Sequence, residues 1–554
     1  MRSLNQEQTQ VVEAYLEGRM SRREFMWRAI QLGLSMSLIS TLLAGHTWFA
    51  AAASGGTPRR GGTVVLGVTS DVNSLDPGHT LANFKNLDIT LYDKLVDVPG
   101  PSTDIRPALA TSWTISPDGK VYTFKLRRGV KFHDGTPFNA EAVKFTWDRM
   151  MDKNHPYHNP PYPYLSFFYA KLAEVRIVDQ FTVRFTLKEP DAVFLANLTW
   201  LPAGIVSPAA VKKYGKKFDQ NPVGTGPFRF VSWKKDRELV VERNPEYWGG
   251  APLLARVIIK SVPDEATRVI QLQKGEIDVV TDTSPEFIPL IQKDKNLQIQ
   301  SRPGLHTWWI AMNEKEKPFG DKRVRQALNY AVDKDAIIRD VLKGGADVSR
   351  SFVWPGTWAY EPNVMTYPYN PAKARELLAA SGYPRGFSTK LVSPVSGSMM
   401  VAPRELATIV QAQLRDVGIE ATIQTMEWTT YTAQLLEGKV TYGLAEQAWG
   451  NNADDPGQYI DLQLTTKNQP PAGYNFSFYS NPRVDKLLEE ASVTVNRERR
   501  RELYREAQRV TSEEAPWIFM FHAKYVVSSR RRIQGLVVGG NFNRLGLLKA
   551  YVTS

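Results

Sequence analysis

The stretch that most constrains the fold is residues 223–250, VGTGPFRFVSWKKDRELVVERNPEYWGG. Two glycines flank a threonine just before a proline, which is typical of a tight turn. Residues 228–233 and 238–242 are rich in side chains that suit a pleated surface, and a polar break of hairpin length separates them. We therefore predict an antiparallel hairpin that ends in the aromatic pair Tyr247 and Trp248.

Strand and helix patterns alternate along the rest of the chain. Residues 63–68 form a short apolar run, whereas residues 267–274 have a helical pattern that Gly275 ends before a predicted strand at 277–280. Such alternation is typical of a sheet with helices on its faces. Because 554 residues exceed one ordinary core, the sequence predicts an α/β protein of more than one lobe.

Composition argues against several function classes. The chain has no cysteine and only 7 histidines, and it lacks the G-x-S-x-G, P-loop and H-E-x-x-H patterns, so we expect no enzymatic activity and no cofactor. His155 and His158 flank a proline, which favours a surface loop over a metal site. The net charge of +12 is typical of a solvated basic face, and we expect no nucleic-acid partner.

The first part of the chain, residues 1–53, has the pattern of an export signal. Arg22 and Arg23 precede an apolar run, and small residues follow up to Ala53. The paired arginines resemble the twin-arginine motif, so we predict a signal peptide cleaved after Ala53 and a periplasmic mature protein. The alternative is an uncleaved anchor, because the apolar run carries no charge and could just span a bilayer.

Segments spread along the chain are similar, in order, to segments of one known family. They are LRRGVKFHDGTPFNAEAVKFTWDRM at 126–150, the stretch 223–250, RVRQALNYAVDKDAII at 323–338, and 481–517 with NPRVDKLLEEA, RELYREAQ and EEAPW. On these segments the chain resembles the solute-binding proteins of peptide-type ABC transporters, which form family 5 of that class. Members of this family include oligopeptide-, dipeptide- and nickel-binding proteins.

The resemblance implies a two-lobed α/β fold of the type II-like periplasmic binding proteins, with a sub-domain inserted into the first lobe. The implied division is signal peptide 1–53, first part of lobe I 54–108, inserted sub-domain 109–220, second part of lobe I 221–312, lobe II 313–515 and a return to lobe I over 516–554. The extended runs 306–313 and 516–527 would be the two crossings between the lobes. We expect the hinge near Met312 and Phe521.

The resemblance also implies a function. A monomer would capture a small polar ligand, peptide or peptide-like, between its lobes and deliver it to the membrane permease of an ABC transporter. A non-peptide ligand such as an oligosaccharide, an opine-like compound or a metal chelate is one alternative. A periplasmic hydrolase on the same scaffold is another.

Loops that follow strands provide the candidate ligand-binding residues, because α/β sheets usually present ligand contacts at strand ends. Several of these residues also suit ordinary turn or core positions. The candidates are Asn73, His79 and Thr80 in the first loop, Trp308 in the first crossing, Ser396, Gly397 and Met399 between a strand and a helix, Trp428, and Trp449, Asn452, Asp454 and Asp455 in the segment QAWGNNADDPGQY.

The segment 447–459 resembles the loop with which peptide-binding members hold their ligand, through an aspartate that pairs with the peptide α-ammonium group. Alignment on Trp449 and Pro456 places Asn452 at that aspartate's position. A neutral amide cannot supply the charge of a carboxylate. Either Asp454 or Asp455 takes over the role after a shift of the loop, or the ligand is not a simple peptide.

Overall fold

The computed structural model describes residues 60–80, 87, 90–98, 104–397, 399–451, 453–539 and 545–553, and a few isolated positions before residue 60. The predictions on Arg22, Arg23, Ala53 and Asn452 lie outside the described residues. Within them, no helix is long and apolar enough to cross a membrane.

A mixed β-sheet runs through the described part of the chain. Its strands lie in the order Ile419–Met426, Phe387–Pro394, Leu444–Gly450, His306–Met312, Trp517–Arg530, Val279–Val280, Thr63–Val68, Arg256–Ser261, Glu238–Arg243 and Phe228–Lys234. Two further strands, Leu297–Pro303 and Ala346–Val348, pair with Trp517–Arg530. Parallel pairing occurs on both sides, between Thr63–Val68 and Arg256–Ser261 and between Phe387–Pro394 and Ile419–Met426.

The strand Trp517–Arg530 joins the two halves of this sheet, and its partners change along its length. Residues 517–523 pair with His306–Met312 and Ala346–Val348, whereas residues 524–530 pair with Leu297–Pro303. The strand also passes from one hydrophobic core to another at the same place. Phe521 and Ala523 pack in the cluster that contains Leu328 and Leu406, whereas Tyr525 and Val527 pack in the cluster that contains Leu66 and Leu239.

A separate antiparallel sheet forms the core of the segment that the sequence analysis describes as an insertion. Its strands lie in the order Ala110–Ile115, Val121–Leu126, Thr182–Leu187 and Leu172–Asp179. The helix Ala140–Met151 covers it and buries Trp147, and the Asn139 side chain caps the helix by accepting a hydrogen bond from the Ala142 amide at 3.1 Å. Asparagine is among the side chains preferred at this position, so the sequence itself marks where the helix starts.

The remaining α-helices surround the main sheet or lie beside the inserted one. They are Leu165–Phe168, Phe194–Asn197, Pro208–Tyr214, Glu265–Lys274, Ile288–Lys293, Lys322–Ala331, Lys334–Ala336, Pro371–Ala380, Pro403–Arg415, Trp428–Leu436, Ile460–Leu464, Pro482–Val493 and Arg497–Glu514. Gly275 ends one of them at φ 83°, a left-handed conformation in which glycine avoids the steric cost of a side chain.

The predicted hairpin is confirmed, with strands Phe228–Lys234 and Glu238–Arg243. Gly226 lies so close to the preceding segment that a Cβ there would be 2.5 Å from the Thr90 carbonyl oxygen, which explains why only glycine fits. At the other end of the segment, Tyr247 and Trp248 both donate hydrogen bonds to the Asp93 carboxyl group, at 3.0 and 2.8 Å. The segment 223–250 therefore packs against residues 90–93 at both ends of the hairpin.

Candidate functional site

Each crossing strand carries a buried histidine next to the point where the strand partners change. His306 donates from Nε2 to the Met399 carbonyl oxygen at 2.8 Å. The Nδ1 atom of His522 lies 3.2 Å from Thr307 Oγ1 and 3.3 Å from the His306 carbonyl oxygen. Burial lowers the pKa of His306 to about 4 and that of His522 to about 3, so both rings are neutral near pH 7.

The first candidate loop, residues 70–80, follows the strand Thr63–Val68 and is held by a buried ion pair. Arg149 donates to both carboxylate oxygens of Asp76, at 2.7 and 2.8 Å. Burial alone would raise the pKa of Asp76, but the adjacent guanidinium holds it below its usual value. The ion pair therefore ties the loop to the helix Ala140–Met151.

The three candidates from this loop have different environments. Asn73 is exposed and donates from Nδ2 to the His79 carbonyl oxygen at 3.2 Å. His79 is half-buried and lies 5.1 Å from the ring of Tyr162, centroid to centroid. Thr80 is fully buried, and its hydroxyl donates to the carbonyl oxygens of Ser74 and Asp76. Thr80 thus stabilises the loop, and ligand contacts from this loop stay a prediction.

The segment 393–403 begins at a second buried acid. Ser393 Oγ donates to Glu446 Oε2 at 2.7 Å, and burial raises the pKa of Glu446 well above its usual value. Burial therefore favours the protonated form of this carboxyl group. This bond fixes the base of the segment to the neighbouring strand Leu444–Gly450.

One of the candidates beyond that base packs against a tryptophan. Gly397 lies against Trp428, since a Cβ on this glycine would be 2.2 Å from the indole ring. Trp428 is half-buried and stacks on Tyr431 at 6.1 Å. Ser396 is exposed, and Met399 has φ 65° and orients its carbonyl group toward the buried His306.

Trp308 lies in the core cluster that contains Leu328 and Leu406. Its side chain is fully buried, and it stacks nearly parallel on Phe521 with 5.3 Å between ring centroids. The two crossing strands are thus packed together through their side chains as well as their backbones. A ligand contact of Trp308 stays a prediction.

The loop after Trp449 contains a set of packed aromatic rings. Trp449 is half-buried, lies parallel to Tyr459 at 6.5 Å and meets the edge of Tyr474 at 5.7 Å. Asn451 connects the loop to the first crossing, because its backbone N–H donates to the Leu305 carbonyl oxygen at 2.8 Å. Such rings offer apolar faces on which a small ligand can stack.

The two aspartates of this loop already have protein partners. Asp455 accepts hydrogen bonds from both terminal nitrogens of Arg500, at 2.6 and 2.9 Å. Asp454 accepts hydrogen bonds from the Trp358 backbone amide and indole, the first at 3.4 Å to Oδ2 and the second to its carbonyl oxygen. Asp455 is therefore neutralised by a bidentate ion pair, and Asp454 is placed beside a tryptophan.

Arg500 is not among the residues predicted from the sequence. It lies in the run of arginines 499–501, which looks like the solvated face of a helix, yet Arg500 is only 5% exposed. Helical spacing could have identified Arg500 as a buried residue, because Arg500, Tyr504 and Ala507 fall on one face of the helix. All three are buried.

Together these features define a class of two-lobed proteins that hold a solute. Two separately packed halves share one long strand, and fixed loops with aromatic and amide side chains follow the strands of each half. Among the described residues, no group of three histidine, aspartate or glutamate side chains could hold a metal ion. This arrangement is suited to holding a solute in a cleft.

Comparisons identify the family. The profile of bacterial extracellular solute-binding proteins, family 5, matches residues 104–471. The chain is 38% identical to heme-binding protein A of Haemophilus influenzae, over 81% of this chain and 84% of that protein. It is 34% identical to the dipeptide-binding protein of Escherichia coli, over 81% and 87%. The chain therefore belongs to family 5 of the bacterial extracellular solute-binding proteins.

A solved structure agrees with this assignment and confirms the two-lobed α/β fold. The ABC transporter-associated periplasmic binding protein DppA of Helicobacter pylori, in complex with the peptide STSA, superposes with a TM-score of 0.75 and 31% identity. The match covers 90% of this chain and 99% of that one.

The buried histidines predict an acid-sensitive fold. Their pKa values are below the 6.5 of an ordinary histidine, so the unfolded chain binds protons that the folded protein does not. Stability is therefore complete above about pH 6.5 and falls as the pH drops toward 4. We expect each ring to contribute a loss of about 2–3 kcal/mol between pH 7 and pH 4.5.

Urea unfolding at pH 7 and pH 4.5 measures this loss. The variant His522→Gln should show a smaller difference between the two pH values than the parent protein. His158→Gln, in a loop away from the crossings, is the control and should keep the full difference. Equal pH dependence in the parent and His522→Gln would contradict the assignment of the effect to the buried ring.

Proposed function

We propose that this protein captures a small polar solute, peptide or peptide-like, between its two lobes and delivers it to the permease of an ABC transporter. Capture would occur by closure of the lobes. Side chains would orient the solute, and no covalent bond would be made or broken. We expect a monomer without a nucleic-acid partner. Incubation of the purified protein with a bound solute should return that solute chemically unaltered.

The observation that carries the proposal is the change of partners along Trp517–Arg530. The strand belongs to one core before Ala523 and to another after Lys524. On the first crossing the change falls between Pro303, the last residue paired within lobe I, and His306. Closure then requires changes of φ and ψ at only a few residues.

This pairing favours a hinge at residues 304–305 and 523–524, nearer to the start of the first crossing than Met312. The strand His306–Met312 would then move with lobe II, since all of its residues pair with Leu444–Gly450. We propose a division of the chain in which lobe II begins near residue 305 and ends near residue 523. The inserted sub-domain would move with lobe I.

The character of the loop around Trp449 supports a ligand without a free ammonium group. Arg500 neutralises the charge of the Asp455 carboxylate, so Asp455 is not available to pair with a ligand ammonium group. The sequence has an amide, Asn452, at the position where peptide-binding members have the aspartate. A buried ammonium without a carboxylate partner is costly. We infer a preference for ligands rich in amides or hydroxyls, stacked on Trp449.

The relatives are consistent with a peptide-like ligand and with a non-peptide one. One is named a dipeptide-binding protein and one structure holds the peptide STSA, whereas another relative is named a heme-binding protein. Calorimetry with a mixed dipeptide library, an oligosaccharide panel, opine-like compounds and metal chelates tests the proposal. Failure of every class to bind would contradict it.

The substitution Asn452→Asp tests the ligand preference. It should improve the affinity for free-amine dipeptides by about tenfold, equivalent to about 1.4 kcal/mol, because a charged hydrogen bond replaces a neutral one. Asn363→Asp, at an exposed asparagine outside the loop, is the control, because it adds the same charge and should leave the affinity unchanged. Tight dipeptide binding by the parent protein would show that Asp454 supplies the charge instead.

The export route gives a separate prediction. Replacement of Arg22 and Arg23 by lysine should hold the precursor in the cytoplasm, because lysine keeps the charge but not the donor geometry of arginine. Fractionation followed by N-terminal sequencing measures the outcome. Mature protein starting near Ser54 in the periplasm of this variant would contradict the twin-arginine route.

A further inference from the structure

A second contact joins the two lobes, away from the crossing strands. The Ala192 amide of the inserted sub-domain donates to the Ser492 carbonyl oxygen of lobe II at 2.9 Å. Val98 and Ala196 on one side pack with Ala453 on the other in a small buried cluster. This contact brings the inserted sub-domain against the same loop that carries the candidate ligand residues.

One amide pair bridges the contact. Gln458 donates from Nε2 to Asn197 Oδ1 at 3.2 Å, and its Oε1 accepts the Ala453 amide at 3.2 Å. Asn197 in turn donates from Nδ2 to the Phe168 carbonyl oxygen at 3.3 Å. Both amides are therefore oriented by their own lobe before they meet.

Arg500 connects this contact to the ligand loop. Its guanidinium group holds Asp455, donates to Tyr504 Oη at 3.0 Å, and reaches the Ala192 carbonyl oxygen at 3.4 Å. The side chain that fixes the ligand loop thus also touches the opposite lobe. Any movement of the inserted sub-domain away from lobe II removes one acceptor from this group.

We propose that these residues form a latch that assembles when the lobes close and separates when they open. The latch consists of Ala192, Ala196 and Asn197 on the inserted sub-domain and Ala453, Gln458 and Arg500 on lobe II. The proposal rests on the lobe closure proposed above. Arg500 acts in it as a positioning residue, because it orders the ligand loop and contacts the other lobe at once.

The chemistry of the contact suits a reversible latch. The amide pair and the bond between Ala192 and Ser492 are neutral, so water can replace each of them at little net cost when the lobes separate. The contact of Arg500 with the Ala192 carbonyl oxygen is long, at 3.4 Å. The apolar part consists of small side chains and buries little area. The ion pair that holds the loop lies within lobe II and persists in both states. Closure therefore favours the ordered loop without a large barrier to release.

The absence of cysteine from the sequence permits a direct test. In a variant with Ala192→Cys and Ser492→Cys, mild oxidation should form an intramolecular disulfide whenever the latch is closed. We expect the cross-linked protein to have a smaller radius of gyration than the reduced protein, and we expect reduction to reverse the change.

Two substitutions in this cysteine background probe the amide pair. Asn197→Ala should slow cross-linking at least about threefold, because it removes one neutral hydrogen bond from the closed state. Gln220→Ala, at an exposed glutamine outside the latch, should leave the rate unchanged. Combining Asn197→Ala with Gln458→Met should add little further slowing, because both remove the same bond.

Three results would overturn the latch. They are a folded cysteine variant that does not cross-link, equal cross-linking rates with and without Asn197→Ala, and cross-linking without a change in the radius of gyration. Calorimetry of the parent protein with the ligand panel separates this failure from that of the proposed function. If a solute binds and compacts the parent protein while the latch test fails, closure stands and the latch does not.

Discussion

The structure depends on the backbone pairing of one strand. Trp517–Arg530 is buried along most of its length, and in the interior every amide and carbonyl group needs a partner. Strands of both lobes satisfy these groups in turn, so neither half of the main sheet is complete without it. Near residue 304 the chain comes very close to this strand, because a Cβ on Gly304 would be 2.6 Å from the Ala523 carbonyl oxygen. This approach places the two crossings side by side where the cores separate.

Buried arginines hold the segments around this strand. Arg149 fixes the first loop through Asp76, and Arg500 fixes the loop after Trp449 through Asp455. Arg325 donates to the Glu514 carbonyl oxygen at 3.0 Å and lies 3.4 Å from Glu314, so it joins the lobe II ends of both crossings. Separating such a pair leaves a buried charge without a partner, so each pair opposes movement of its segment.

The local parts of this architecture could be predicted from the sequence. The hairpin in 223–250 and the helix stop at Gly275 each depend on residues close in the chain, and both are confirmed. The ion pair of Arg500 with Asp455 could not be predicted in the same way, since these residues are 45 positions apart. The change of strand partners at residues 523–524 depends on pairing between strands far apart in the chain, and no local sequence pattern predicts it.

The candidate site was predictable to a smaller extent. Turn residues identified the loops, but the sequence could not show which side chains would form hydrogen bonds or ion pairs within the protein. Thr80 is bonded to its own loop and Asp455 to Arg500, whereas Trp449 and Trp428 remain half-buried. These assignments are set by tertiary packing, which also buries His306 and His522 at the crossings.

Small-angle X-ray scattering tests the central claim most directly, which is that two lobes close about a hinge at residues 304–305 and 523–524. The measurement compares the protein alone with the protein saturated by a solute that calorimetry shows to bind. The account predicts a smaller radius of gyration in the bound state, with both lobes keeping their own shapes. Superimposable scattering curves at full occupancy would contradict it.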